Sequence, residues 1–129
     1  MEQLTIKQFS DLTYNKLSEL EEEVSLSDPT EGSTFPCRII GTPIEVVQKT
    51  DRKGINLLKQ FQISIAHFGV SQNECMEMVS QTDNKLSEYK FVKTNTLPIK
   101  YDEKIEKFNL TTTYEVYWNA LVKSFMSVK

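Results

Sequence analysis

The residues of this chain that could do chemistry are few and widely spaced. His67 is the only histidine, and the two cysteines, Cys37 and Cys75, stand far apart in the sequence. A histidine acts as a general base or a metal ligand only together with partner groups. Two cysteines without close pairing do not make the ligand spacing of a zinc site. The sequence also has no glycine-rich phosphate loop and no His-Glu-x-x-His motif. We therefore expect no catalytic residue, no metal ligand and no cofactor.

Two long stretches that alternate with period two predict the strands around which the fold is built. The first runs over residues 56–68 and the second over residues 108–118. Such alternation places one face of a strand on a core and the other face toward water or a neighbour. His67 continues the apolar face of the first strand, so we expect it to be structural. The apolar odd positions of that strand are Leu57, Phe61, Ile63 and Ile65.

Two capping-box patterns predict helices. Thr5 with Gln8 opens a helix over residues 5–24, and the run Ser-Gln-Asn-Glu opens another that extends from Ser71 to about Tyr89. The second helix is expected to turn five side chains inward: Cys75, Met76, Val79, Leu86 and Tyr89.

Shorter elements complete the prediction. Brief strands are expected near residues 35–40, 44–48 and 90–94, and an irregular connection over residues 95–107. The tail, residues 119–129, is expected to dock as a short helix or to lie on a neighbouring subunit. Together these elements predict one α+β domain over residues 1–129, with a mostly antiparallel sheet and two main helices packed on it.

Composition narrows the functional classes. Hydrophobic residues make up 39% and charged residues 26% of the chain, values typical of a globular protein. No apolar run approaches the roughly 20 residues of a membrane helix, and the first residues lack the pattern of a signal peptide. We expect an intracellular protein with reduced cysteines. The net charge of -3 argues against a general nucleic-acid binder, because such proteins neutralise phosphates with Lys and Arg.

Three groups of side chains could belong to a contact surface. The acidic run at residues 19–23 could be a solvated helix end, or it could be a surface that binds a partner through electrostatic attraction. Asp51, Arg52 and Lys53 occupy a predicted hairpin tip, where they keep the tip soluble or dock a neighbour. Trp118 is the last aromatic residue of the final strand. It could pack in the core, or it could belong to an aromatic rim at a subunit interface. We take Asp51, Arg52, Lys53 and Trp118 as the candidate interface residues.

The order of these elements resembles that of the tail terminator, or tail completion, proteins of long-tailed bacteriophages. The similarity covers roughly residues 5–118. It consists of an N-terminal helix, a Phe-Pro pair that opens a strand (residues 34–41), a long strand (residues 61–68), a capped helix start (residues 71–74) and a closing aromatic strand (residues 114–118).

The resemblance implies a late, structural virion protein without enzymatic activity. Such a protein assembles with further copies of itself into a ring, expected to be hexameric, that caps the tail tube and joins the tail to the head. The implied partners are the major tail tube protein and the head–tail connector protein, with genomic DNA passing through the ring without specific binding and with no membrane. The implied location is the head-proximal end of the virion tail, after assembly in the bacterial host cytoplasm.

Two alternatives stay open. The chain could be another phage head–tail connector or neck protein of similar size and layout. It could also be a small intracellular α+β enzyme or ligand-binding domain, for which one expects a pocket with convergent polar groups and shifted pKa values.

Overall fold

The computed structural model describes residues 4–27, 29–30, 33–50 and 56–128. In these residues, two helices lie on one face of an eight-stranded sheet. The helices are α1 (Ile6–Leu17) and α2 (Gln72–Ser87). The strands are β1 (Glu23–Ser25), β2 (Cys37–Ile40), β3 (Ile44–Thr50), β4 (Asn56–Gly69), β5 (Val92–Thr96), β6 (Lys100–Asp102), β7 (Lys107–Asn119) and β8 (Ser124–Met126).

Strands β4 and β7 form the antiparallel centre of the sheet. They pair from Leu58 opposite Asn119 to Gly69 opposite Phe108. Strands β2 and β3 pair with the other edge of β4, while β5, β6 and β8 pair with the other edge of β7. Strand β1 joins β2 in parallel, whereas all of these other pairs are antiparallel. The predicted α+β class, with a mostly antiparallel sheet and two helices packed on it, is confirmed.

The core lies between the sheet and the two helices, where the alternation predicted it. Phe61, Ile63 and Ile65 of β4 are each at most 1% exposed, and the side chain of Leu57 lies outside the described residues. Helix α1 reaches this layer through Phe9, whose ring stacks on that of Phe61 with a centroid distance of 4.4 Å. Period-two patterning therefore selected the correct face of the central strand.

Helix α1 begins as predicted but ends earlier. The Thr5 hydroxyl accepts a hydrogen bond from the Gln8 backbone N–H at 3.1 Å, which completes the capping box. The helix ends at Leu17 rather than near residue 24, and Val24 instead lies in β1, opposite Arg38 of β2. In a longer helix the acidic residues that follow would stand at the C-terminal end, where the helix dipole disfavours negative charge. Strand pairing prevails over the helical pattern there.

Helix α2 is capped by Ser71, whose hydroxyl accepts from the Glu74 N–H at 3.1 Å. Its inward face is rotated slightly from the predicted one. Met76 is 46% exposed, so its predicted inward position is wrong, and Met78 and Thr82 are buried instead. The buried positions follow the spacing i, i+3, i+4, i+7 and i+11, which keeps one stripe on the sheet. They are Cys75, Met78, Val79, Thr82 and Leu86.

The connection predicted to be irregular over residues 95–107 contains regular structure. Strand β5 extends to Thr96, and β6 pairs with the first residues of β7. The ring of Tyr101 in β6 packs edge-on against that of Phe108, with centroids 5.0 Å apart. The sequence prediction was wrong here because a three-residue strand is too short to show alternation, and it forms only because the edge of β7 is available to pair.

The tail is a strand and not a helix. Strand β8 folds back on β7, with Phe125 opposite Trp118. The Asn119 side-chain oxygen accepts the N–H of Leu121 at 2.9 Å, and Lys123 takes a φ of 52° in the turn between the strands. The Phe125 ring packs edge-on against Trp118 at 5.1 Å. The expected helix is therefore corrected to a hairpin, which places one aromatic ring on the core.

Candidate interaction surfaces

The predicted interface residues fall into two groups. Asp51, Arg52 and Lys53 lie outside the described residues, between the paired strand ends Thr50 and Asn56. Trp118 lies on the helix-bearing face of β7, packs against the core and is partly buried. No described acceptor reaches its indole N–H, which is buried. The geometry accounts for Trp118 as a core residue, and its role at an interface stays a prediction.

The face of the sheet opposite the helices is only partly covered. At one end, Phe35 and Ile105 close over an apolar cluster of Cys37, Ile39 and Phe68. The middle of this face is polar, with Ser64 and Thr113 hydroxyls 3.0 Å apart. Toward the other end, large apolar side chains are exposed to solvent: Ile44 by 53%, Val46 by 48% and Met126 by 42%. This end of the face is therefore apolar and accessible to another chain.

The sheet also has open edges on both sides. On one side β1 has no second partner strand among the described residues, and on the other side neither β5 nor β6 has one. An unpaired edge offers a row of backbone N–H and C=O groups that can pair with another chain. The edge strands β1, β5 and β6 span three to five residues each. Strand β3, which pairs only with β4 among the described residues, is longer, with seven residues.

A buried polar network that was not predicted from the sequence lies under α2. Arg38 of β2 is 0% exposed, and its Nη1 donates to Glu22 at 2.8 Å. Its Nη2 donates to the Met78 carbonyl at 3.0 Å, and its Nε donates to the Thr82 hydroxyl at 2.8 Å. A buried charge is tolerated when it is paired and fully hydrogen-bonded. Two signals could have suggested the network: an arginine within an apolar strand, and a threonine in the apolar stripe of α2.

His67 continues this network through the core. The carbonyl of Leu110, 2.9 Å from His67 Nδ1, can only accept, so Nδ1 carries the proton of the neutral ring. His67 Nε2 then accepts from the Thr82 hydroxyl at 2.8 Å. Arg38, Thr82, His67 and Leu110 are thus joined by hydrogen bonds, and the Thr82 hydroxyl also lies within donating distance of the Met78 carbonyl, at 3.0 Å. The predicted structural role of His67 agrees with this geometry.

The same arrangement predicts an acid-sensitive fold. Burial is the largest cause that lowers the pKa of His67, from 6.5 to about 4, and the nearby Arg38 charge lowers it further, although the hydrogen bond to Leu110 acts in the opposite direction. Below pH 6.5 the unfolded chain binds a proton that the folded chain does not take up until about pH 4. The free energy of unfolding should therefore fall by about 3 kcal/mol as the pH drops through this window.

Urea unfolding at a series of pH values measures this loss. His67 is the only histidine, so a His67→Gln variant isolates its titration from that of the carboxylates. The variant should be less stable near neutral pH but should lose less stability as the pH falls. Equal pH slopes for the variant and the wild type would contradict the assignment.

A second polar group joins α2 to β7 beside this network. Asp83 accepts the hydroxyl of Tyr114 at 2.5 Å and forms an ion pair with Lys93 of β5 at 2.8 Å. Burial, followed by the bond to Asp83, raises the pKa of the Tyr114 hydroxyl, so it stays protonated and donates. Asp83 and Lys93 therefore compensate each other's charge.

A cleft of about 530 Å³ lies next to these groups, between α2 and the segment after β5. The Asp83–Lys93 pair lies at its polar side. Most of its other described walls are apolar: Met76, Val79, Leu97, Pro98, Ile99 and Leu110. Because the two ionic groups already satisfy each other, the cleft presents no unpaired charge from that pair to a ligand.

Both cysteines lie in the interior of the protein. Cys37 and Cys75 are both free and buried, and burial raises the pKa of the Cys37 thiol to about 11. Within the same residues, no group of three or more His, Cys, Asp and Glu side chains is placed to hold a metal ion. Neither described helix is long and apolar enough to cross a membrane.

No protein-family model matches the chain, and no curated protein matches it significantly.

Proposed function

We propose that this chain is a structural virion protein, without enzymatic activity, that forms a ring on the end of a phage tail tube and joins the tail to the head. Its partners are further copies of itself, the major tail tube protein and the head–tail connector protein. Genomic DNA passes through the hole of the ring without specific binding. The protein then resides at the head-proximal end of the tail, after assembly in the host cytoplasm. A hexameric ring is the form that the sequence resemblance suggests.

One observation supports this proposal most strongly: the sheet offers surfaces for neighbours on several sides at once. Both of its edges lack partner strands among the described residues, and its helix-free face exposes Ile44, Val46 and Met126. A subunit of a ring needs two different surfaces for its two neighbours, because head-to-tail contacts are heterologous. It needs further surfaces for the tube and the head.

The proposal is tested by asking whether the protein binds ends of tubes. Purified tail tubes are divided into two samples of equal mass, one of which is sheared into shorter pieces. The protein is then co-sedimented with each sample. A cap predicts that the bound amount rises with the number of ends. Binding that follows tube mass instead points to a protein of the tube wall, and absence of binding favours the alternative that this is a connector or neck protein.

The loop between β3 and β4 is expected to contribute to attachment. Asp51, Arg52 and Lys53 connect two paired strand ends, and loops held by a rigid sheet often carry binding. Replacing these three residues with Gly and Ser should leave folding intact but reduce co-sedimentation with tubes. A matched control replaces Glu103 and Lys104 of the β6–β7 turn, at the opposite end of the sheet. Unchanged binding by the first variant would remove this loop from the interface.

A further inference from the structure

Strand β3 has the longest open edge of the sheet within the described residues. It spans the seven residues Ile44–Thr50 and pairs only with β4 there, whereas β1, β5, β6 and β8 span three to five residues each. In an antiparallel pair, successive residues of a strand turn their backbone groups alternately toward the neighbouring strand and away from it. The outer side of β3 therefore presents N–H and C=O groups to which another extended chain can pair.

The first residues of β3 present apolar side chains beside this edge. Ile44 and Val46 project from the helix-free face and are 53% and 48% exposed. The pairing register shifts after Val47, so the regular part of the edge ends there. Glu45, the one charged residue of this part, forms an ion pair with Lys59 at 2.7 Å. A strand that approaches the edge therefore meets apolar side chains and a charge that is already compensated.

An apolar groove of about 290 Å³ adjoins the beginning of the same edge. It lies between the first two turns of α1 and the connection from β2 to β3, and Pro43 in its wall directly precedes β3. Ile6 and Leu26 also line it, and they are 40% and 59% exposed. Lys7, the charged residue of the wall, pairs with Asp11 at 2.8 Å. The groove thus suits an uncharged side chain that lies beside the start of β3.

The space outside β3 is bounded at one end by β1. Strands β2 and β3 pair with the same edge of β4, and the Gly41 N–H between them donates to the Ser64 carbonyl at 2.8 Å. Strand β1 lies outside β2 and ends at Ser25, so it stands one strand spacing, about 4.8 Å, beyond the line of β3. A strand added to β3 would follow β1 end to end. A broad sheet edge would meet β1 first, so the space suits a single extended segment.

From these observations we propose that β3 and the adjoining groove bind an extended, uncharged and apolar segment of a partner protein, which adds a strand to the sheet. In strand addition, main-chain hydrogen bonds supply affinity and pockets for side chains supply specificity. Here the pocket is the groove at Ile6 and Leu26. On the other face, Ile44 and Val46 lie beside side chains of the added strand. The inference goes beyond the proposed ring, because a strand can be added to a free subunit.

The arrangement sets the pattern of the bound segment. One face of the added strand lies beside Ile44 and Val46, and its other face turns toward the groove. A strand that is covered on both faces needs apolar residues at neighbouring positions. A segment that alternates between apolar and charged residues would bring a charge into the groove, and it should bind poorly.

A library of random seven-residue peptides tests the proposal without knowledge of the natural partner. Peptides selected on the purified protein are titrated against the ¹⁵N-labelled protein, and chemical shifts and amide hydrogen exchange locate the bound peptide. We expect neighbouring apolar residues in the selected peptides, and slower exchange at residues 44–47. A selection that yields no binding peptide, or peptides that bind elsewhere on the protein, overturns the proposal.

Substitutions at the edge and in the groove give an independent test. Val46→Lys places a charge beside the edge and Leu26→Lys places one in the groove, and each should weaken binding of the selected peptides roughly tenfold. The matched controls are Val70→Lys after β4 and Leu121→Lys after β7, at positions 62% and 63% exposed. Both should bind the peptides as the wild type does. All four sites are exposed, so thermal unfolding should stay unchanged. Equal affinity of the four variants contradicts the proposal.

A second copy of this chain is the alternative occupant of the edge. Hydrogen exchange at residues 44–47 in the protein alone, at low and at high concentration, distinguishes it. We expect exchange that does not depend on concentration. Protection that rises with concentration would show that another copy covers β3, and it would overturn the assignment to a different partner. Tail tubes take no part in these measurements, so their outcome is separate from that of the tube-binding test.

Discussion

Replacing Arg38 with methionine is expected to lower the free energy of unfolding by about 3–5 kcal/mol, the usual cost of removing one partner of a buried ion pair. Arg38 is fully buried, and its guanidinium donates to Glu22, Met78, Gln81 and Thr82. Methionine fills much of the space but removes the cation that pairs with Glu22 and one donor from each of the other acceptors, and a buried acceptor that loses its donor is costly. Urea unfolding at neutral pH measures the change.

The control for this prediction is Lys104→Met, an exposed site in the turn before β7. Surface substitutions of this kind usually change stability by less than about 0.5 kcal/mol. A second variant, Arg38→Met with Glu22→Gln, removes the charge on both sides and should recover part of the loss. If Arg38→Met costs no more than the control, the network is not holding β2 against α2.

Replacing Phe9 with alanine is expected to cost about 3–5 kcal/mol, as for other large aromatic residues removed from a core. Phe9 is 0% exposed. Its ring stacks on Phe61 at 4.4 Å and on Phe91 at 5.4 Å, so it joins α1 to β4 and to the start of β5. Truncation of the Phe9 side chain leaves a cavity between α1, β4 and the start of β5, and these three elements cannot all move inward to fill it.

Ile6→Ala on the same helix is the matched control, because Ile6 is 40% exposed. Its cost should be clearly smaller than that of Phe9→Ala in the same urea titration. A loss at Phe9 no larger than the loss at Ile6 would show that the packing of the Phe9 ring does not hold α1 on the sheet.

The central strands and the helix starts could be predicted from the sequence because their signals are local. Alternation in β4 and β7 selects their buried faces, and Thr5 and Ser71 provide recognisable caps. These features depend on residues within a few positions of one another. They hold even when nothing is known of the rest of the chain.

The features that were missed depend on distant parts of the chain. Strand β1 forms because β2 offers an edge, and β6 and β8 form because β7 does. The sequence places Glu22 in a run typical of a solvated helix end. In the structure Glu22 instead forms an ion pair with the buried Arg38. Among the candidate interface residues, Trp118 packs on Phe125, a contact that requires the β8 hairpin. No local pattern specifies such contacts.

Imaging of tail tubes mixed with the purified protein tests the proposed function most directly. A tail-capping protein should appear as a ring of density at one end of each tube, with an open centre wide enough for duplex DNA and with no decoration of the tube wall. Three-dimensional averaging of that end should then fit copies of the described fold around the tube axis. Bare tube ends at saturating protein, or density spread along the tube sides, would contradict the account.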